Sequence, residues 1–326
     1  MSRLEPATRS VTPEHVEEAA DVLRAFLTPT PLQRSRAFSD RTGCDVYLKL
    51  ESIQPIRAFK VRGALNKLAH MTPEQRAAGV ITASAGNHGM GVAYAAATFQ
   101  APAIVHVPEG ANRLKVEAIK RMGAEVVTAG RNYSAAYAEA VRAQQKSGAT
   151  FVHAYEDPHV VAGQGTIALE LLRDLEQFDT ALVAVGGGGL IGGIALYLKA
   201  KKPDIRVVGV EPTGADSMRR SLAAGEIVTL EHVQTIADGL AASAPGPLSF
   251  DIARRCVDEV VLVEEEEMLD AIRLLFQWEH LLAEPAGAAA LAALLRYPRE
   301  PGERVVVILS GANISDEVML RALAQR

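Results

Sequence analysis

Four consecutive glycines, Gly186 to Gly189, follow the uncharged run ALVAV and precede LIGGIALYL, the pattern of a strand-to-helix turn. Without β-carbons, such a turn lets several backbone N–H groups converge on one anion, and the helix beyond adds unpaired donors and the positive end of its dipole. The segment therefore predicts a phosphorylated ligand. Its identity stays open at this point, because Gly187, Gly189 and Gly192 also have the G-x-G-x-x-G spacing of a dinucleotide site, with Glu211 near the place of a ribose-binding acid. Lys60 stands next to Phe59 at the start of an amphipathic stretch. A lysine at a helix start is ordinarily solvated, but one held against an aromatic ring in a cleft has a lowered pKa and can form a Schiff base with an aldehyde cofactor. Ser84, Ala85, Gly86, Asn87 and His88 open another helix after a strand, where backbone amides can take a carboxylate or Ser and Asn can simply cap. Ser310 and Asn313 end the apolar run VVVILS and lead into a last helix.

These residues need a frame that brings them together. Apolar runs at 45–50, 79–84, 102–108, 124–130, 181–185, 205–211 and 303–310 alternate with stretches of three- and four-residue apolar spacing, among them 61–71, 89–99, 113–123, 165–176 and 268–284. The alternation predicts an α/β fold of mostly parallel sheet covered by helices. In that frame Lys60, Ser84, Asn87, the glycine run and Ser310 all fall at carboxyl ends of strands or at the helix starts beyond them, where open α/β sheets bind ligands. Independent helix caps need not cluster in this way. The acidic run Glu264 to Glu267 reads as the first turn of the helix that follows, favoured there by the dipole.

With 326 residues, the chain exceeds one ordinary core and predicts two lobes with a cleft between them. Its 48% hydrophobic and 22% charged residues describe a soluble globular protein, and a net charge of -5 gives no basic footprint for nucleic acid. Cys44 and Cys256 lie far apart and outside any C-x-x-C pattern, which suits a reducing compartment. MSRLEPATRS lacks the apolar core of a signal peptide, so a cytoplasmic protein is expected. Residues 181–198 carry no charge, but their six glycines split the run into strand, turn and helix and argue against a membrane span.

Taken in order, FKVRGALN, SAGNHGMGVA, GGGGLIGGIA, GVEPTGADSM, TIADGLA, EPAGAAALAAL and SGANIS resemble segments of the threonine and serine dehydratase and serine racemase family. These are pyridoxal-phosphate enzymes of fold type II, similar to the tryptophan synthase β-chain. The resemblance runs from about residue 15 to the end. It implies a large cofactor-phosphate domain of residues 1–52 and 153–326, a small mobile domain of residues 53–152 carrying the carboxylate loop, and a homodimer. It also implies that Lys60 forms the Schiff base and later acts as base at Cα, with Phe59 packed on the pyridine ring. Asn87 would bond the ring 3-hydroxyl, the amides of Gly186, Gly187, Gly188, Gly189 and Leu190 would hold the phosphate, and Ser310 would face the pyridine nitrogen. Ser84, Ala85, Gly86, Asn87 and His88 would clamp the substrate carboxylate. The implied reaction is α,β-elimination from an L-3-hydroxy amino acid such as threonine or serine, giving a 2-oxo acid and ammonia. Related substrates are 3-hydroxyaspartate, phenylserine or an intermediate of hydroxyectoine degradation. A Rossmann oxidoreductase would leave Lys60, SAGNH and Ser310 without roles, and a non-catalytic cofactor-binding relative would not need the lysine.

Departures from the family pattern sharpen the expectations. Racemases of the family commonly read SSGNH, where the second serine moves a proton on the ring face opposite the lysine; this chain has Ala85, which predicts elimination over racemisation. The lysine segment usually reads T-G-S-F-K and here reads Ile56, Arg57, Ala58, Phe59, Lys60. Arg57 is thus a candidate partner for a distal substrate carboxylate, set against a solvated loop arginine. GVEPTGADSM matches a segment in which relatives bind Mg²⁺ or Ca²⁺; Glu211 and Ala215 are kept, and Ser217 replaces the second acid. The chain stops soon after SGANIS, so a C-terminal regulatory domain and feedback inhibition by isoleucine through it are not expected.

Overall fold

β-branched runs need partners on both faces, and here they form two separate sheets. The computed structural model describes residues 10–297 and 300–325; the N-terminal residues 1–9 read above lie outside them. The strands are β1 (Leu32–Ser35), β2 (Asp45–Lys49), β3 (Val80–Ala83), β4 (Ala103–Val107), β5 (Glu125–Thr128), β6 (Thr150–Phe151), β7 (Thr180–Ala184), β8 (Arg206–Pro212), β9 (Glu259–Val263) and β10 (Arg304–Ile308). The larger sheet has the order β1-β2-β10-β7-β8-β9, and the smaller one β5-β4-β3-β6. All pairings are parallel except that of the edge strand β1 with β2. Strands of the smaller sheet all fall between residues 80 and 151, and those of the larger sheet lie before and after them.

Side chains alternate across each strand and supply two cores. Leu182, Ala184, Val305 and Val307 face the helices Glu265–Leu274 and Pro285–Arg296. Ala181, Val183, Val306 and Ile308 face Pro158–Asp174 and Gly189–Lys201 on the other side. All seven expected strands form. β1, β6 and β9 were not read from sequence: β1 is polar and mostly exposed, β6 has two residues, and β9 abuts the acidic run that marks the next helix. Glu264 and Glu267 form a reciprocal capping box there, as the first-turn reading requires. Among the described residues no helix is long and apolar enough to cross a membrane, and the uncharged run at 181–198 divides into β7, a turn and a helix.

The continuous helix expected over 268–284 does not form. Regular winding ends at Leu274, a π-type turn covers Leu275–Glu279, and His280 takes a left-handed φ of 55°. Pro285 begins the next helix, and a proline disfavours helical backbone in the residue before it. The break frees Glu284 from helical geometry and directs the Glu279 carboxylate to Ser35 and Gln33.

Where the segment before Lys60 meets the helix after it, the fold buries a charge cluster. Arg62 is bidentate to Glu51 at 2.8 and 2.7 Å and to Glu170 at 2.6 and 2.9 Å. Lys49 adds a second cation, 2.6 Å from Glu170, so two cations face two carboxylates away from water. Such a set adds little over an apolar packing, but breaking it strands a buried charge. Arg62→Ala is expected to destabilise the protein by about 3–5 kcal/mol, read as a lower midpoint in urea denaturation.

Candidate active site

A cavity of about 390 Å³ opens at the carboxyl ends of β3, β7 and β10. Lys60 is the first residue of the helix Lys60–Ala69 and lines this cavity. Its Nζ donates to the carbonyl of Ala154 at 2.9 Å and lies 5.1 Å from the centroid of the Phe59 ring. Burial pushes the Lys60 ammonium down to about 8. An amine in this range is neutral often enough near pH 7 to serve as nucleophile and base.

The glycine run forms one wall. Gly188 is the N-cap of the helix Gly189–Lys201 with φ 93°, and no side chain caps this end. The N–H groups of Gly189, Leu190 and Ile191 have no carbonyl to bond within their helix. Side chains have no room here: a β-carbon on Gly187 would lie 2.4 Å from the ring of Tyr155, and one on Gly188 would lie 2.7 Å from Met218 Cε. The result is a concave row of bare amides at a helix N-terminus, which suits a phosphate dianion. Gly192 faces no close neighbour, its hypothetical β-carbon meeting nothing nearer than 3.9 Å, so the embedded dinucleotide spacing has no matching backbone approach.

Opposite lies the 84–88 loop. Neither serine nor asparagine caps the helix Asn87–Thr98: Gly86 occupies the N-cap and makes no side-chain cap bond. The Ser84 N–H donates to the His106 carbonyl in the sheet, and its hydroxyl accepts from the Gly86 N–H at 3.2 Å. First-turn donors at Asn87, His88 and Gly89 therefore remain for a ligand. His88 bonds the Val152 carbonyl through Nε2 at 2.9 Å, and burial with Lys60 nearby pushes its pKa to about 3, so it stays neutral. Ser310 is buried and donates weakly to the Ala286 carbonyl at 3.3 Å.

The family model for pyridoxal-phosphate dependent enzymes matches residues 23–311 of the chain. The chain belongs to that family. It is 48% identical over 92% of its length to the L-threonine ammonia-lyase of Geobacter sulfurreducens, covering 75% of that protein. To the L-threonine ammonia-lyase of Thermotoga maritima it is 42% identical over 96% of its length, covering 78% of that protein. The solved structure of maize serine racemase superposes with a TM-score of 0.92 at 34% identity, covering 96% of this chain and 97% of that one. The processed form of threonine deaminase isoform 2 from Solanum lycopersicum superposes with a TM-score of 0.89 at 32% identity over the full length of both.

As a member of this family the protein needs room for a phosphate, a pyridine ring and a lysine, and its residues fit that group. The amide row suits the phosphate, the flat wall of Phe59 suits the ring, and Lys60 Nζ points into the same cavity from the far side. Backbone bonds tie these parts together: the Phe59 N–H donates to the Ser310 carbonyl, the Ala312 N–H to Arg57, and Ala58 bridges Gly311.

Two expected groups fall outside the cavity. Arg57 is exposed and does not line it, a correction to its reading as a substrate contact. Its φ is 58°, the left-handed region that glycine takes freely, and glycine is what the resembling segments carry at this place. Glu211, Ala215 and Ser217 lie at the end of β8, away from the cavity lining. Both Glu211 oxygens accept backbone N–H groups, from Met218 at 2.8 Å and Arg219 at 2.9 Å, and burial pushes its pKa up to about 8. Asp216 turns to Arg220 at 2.8 Å. With these carboxylates engaged by protein groups, no cluster of His, Cys, Asp and Glu that could hold a metal ion forms among the described residues.

The cavity also holds residues that received no role from sequence: Tyr155, Tyr133, Asp238 and Glu284. The last two sit inside quoted segments, TIADGLA and EPAGA, yet nothing in the sequence says which acidic side chain turns inward.

Two outcomes follow from these environments. A lysine whose folded pKa is depressed costs stability below about 8, and that cost vanishes as pH rises through the unfolded value near 10.5. Lys60→Met is thus expected to stabilise the apoprotein by about 2 kcal/mol at pH 7, with the difference shrinking between pH 8 and 10.5 in chemical denaturation. Arg57→Gly is expected to stabilise by about 1 kcal/mol by relieving the left-handed strain. It should leave unchanged the ratio of kcat/KM for L-threonine over threo-3-hydroxyaspartate.

Proposed function

We propose that the protein is a pyridoxal-phosphate-dependent ammonia-lyase that eliminates the β-hydroxyl of L-threonine or L-serine and releases a 2-oxo acid and ammonia. The observation that carries this reading is the placement of Lys60, with its lowered pKa, between a bare amide row on one side and free helix N-terminal amides on the other. Both relatives above act on L-threonine by name, which supports the same substrate class here.

Bound pyridoxal phosphate supplies the electron sink that stabilises negative charge at Cα. The amides of Gly186 to Leu190 would hold its phosphate, with Phe59 against its ring, Asn87 as donor to its ring oxygen and Ser310 at its ring nitrogen. First-turn amides of the 84–88 loop, with the Ser84 hydroxyl, fix the substrate carboxylate. With both ends held, the Cα–H bond is aimed at Lys60 Nζ, which takes the proton. Because Ser310 is neutral, the ring nitrogen gains no counter-charge from the protein. The β-hydroxyl would leave as water, the proton that Lys60 Nζ took balancing the one it gains, and a second water would hydrolyse the released enamine to the 2-oxo acid and ammonia.

The racemase reading is favoured by the similarity to maize serine racemase. Against it stands Ala85, which lines the cavity and has no proton to give or take from the face opposite Lys60. No step is assigned to a divalent cation. The division into residues 1–52 with 153–326 and a mobile 53–152 follows the separation of the two sheets. A homodimer is supported by the exposed Phe276, Trp278 and Leu282 beyond the end of the regular helix, and a cytoplasmic location by two cysteines set far apart in sequence and outside any C-x-x-C pattern.

Purified holoenzyme is expected to form 2-oxo acid from L-threonine and L-serine. Lys60→Ala should lose its visible absorbance together with about a thousandfold or more in rate. On L-serine, pyruvate should form faster than D-serine, and the opposite order in a chiral assay would replace elimination by racemisation. Chelator should leave rate and melting temperature unchanged.

A further inference from the structure

Asn87 carries a primary amide whose two ends differ in chemistry, since the nitrogen donates and the oxygen accepts; a half-turn exchanges them. Its neighbours decide which end lies where. Glu284 accepts a hydrogen bond from Asn87 Nδ2. On the other side, Asn313 Nδ2 donates to Asn87 Oδ1 at 2.8 Å and to the carbonyl of Ile56 at 2.9 Å. A backbone carbonyl only accepts, so it fixes the orientation of Asn313, and Asn313 then offers Asn87 a donor. A carboxylate likewise only accepts, so Glu284 demands an N–H.

Both forms of the Glu284 carboxyl can accept, but only the carboxylate has no hydrogen of its own to donate, and the side chain is just 2% exposed. Burial raises its pKa; Lys115, 3.7 Å away, and the bond from Asn87 oppose that rise, while Asp238 reinforces it. Lys115 is itself held by Asp238 at 2.6 Å and comes from the helix Arg113–Arg121, beside the smaller sheet. The cation that favours the carboxylate form of Glu284 therefore comes from that helix and not from Glu284's own surroundings in sequence.

We propose that Glu284 and Asn313 are positioning residues that clamp the Asn87 amide so that it presents N–H, and not C=O, to the ring oxygen of the cofactor. The reading of Asn87 given above underlies this assignment. Presented the other way round, the amide oxygen would repel the ring oxygen, so the orientation decides the sign of the interaction. The remaining hydrogen on Nδ2 is the one available to the cofactor, because the first is bound by Glu284.

The test compares wild type, Asn87→Ala, Glu284→Gln and the double variant. Two quantities are read: pyridoxal-phosphate affinity by titration of the apoprotein, and the pH midpoint of the visible absorption of the holoenzyme. Glutamine keeps the size of Glu284 but donates as well as accepts, so it removes one of the two restraints on Asn87 and leaves only that of Asn313. Glu284→Gln is expected to weaken affinity about three- to tenfold and to shift the pH midpoint in the same direction as Asn87→Ala. In the Asn87→Ala background it should change neither quantity further. The proposal is overturned if Glu284→Gln leaves both quantities unchanged while Asn87→Ala moves them, or if its effect is as large without Asn87 as with it. If Asn87→Ala itself moves neither, the role of Asn87 under the proposed function fails instead. Should Glu284→Gln not fold, Asn313→Ala takes its place, since it removes the donor held against Asn87 Oδ1; an unchanged affinity and midpoint there also overturn the clamp.

Discussion

The segment that ends in Lys60 is sewn onto the end of β10, and the geometry of the site depends on that seam. Ser52 and Phe59 donate their N–H groups to Leu309 and Ser310, Ala312 returns one to Arg57, and Ala58 pairs with Gly311. Backbone hydrogen bonds fix distances to within a few tenths of an ångström. They thereby bring Lys60 and Ser310 to one cavity, although 250 residues separate them. Arg62, two residues beyond Lys60, anchors the far end of the seam in a buried cluster that also holds Glu51 and Glu170. A lysine fixed at both flanks has little freedom left except in its own side chain, which is the freedom its chemistry uses.

Removal of water is the second constraint. Lys60 pays no attention to a distant charge in lowering its pKa: burial alone accounts for the shift to about 8. The imidazoles near it, His88 and His153, are kept neutral at about 3 and about 4 by the same cause, with the lysine's own charge adding to it. Three basic groups thus share one dry region, and only the lysine titrates near neutrality. Charged side chains in the same region are matched in pairs, with Lys115 set between Asp238 and Glu284. An unmatched charge so placed would cost several kcal/mol.

Amide rows at two helix N-termini complete the arrangement. Both helices begin at a glycine N-cap, Gly86 and Gly188, and neither uses a side-chain cap. A capping serine or aspartate in place of glycine would stabilise each helix by a few tenths of a kcal/mol, but it would occupy the donors that a phosphate or carboxylate needs. Local helix stability is given up where a ligand is to bind.

Much of this was legible in the residues. β-branched runs have one stable solution, burial in a parallel sheet, so the seven strands and their order along the chain could be read directly. Glycine is the residue that admits left-handed backbone and close approach without cost, and Gly186 to Gly189 therefore announced a turn of bare backbone amides by type alone. Contacts between residues distant in sequence were not legible. Arg57 looked like a ligand because of its charge, yet its backbone conformation and exposure place it outside the cavity. Glu284 looked like a helix residue, yet the π-type turn and Pro285 swing it inward to hold Asn87. Local propensity and glycine conformation belong to the chain and can be read from it; which carboxylate meets which amide depends on how two sheets and their helices pack, and only the tertiary structure decides that.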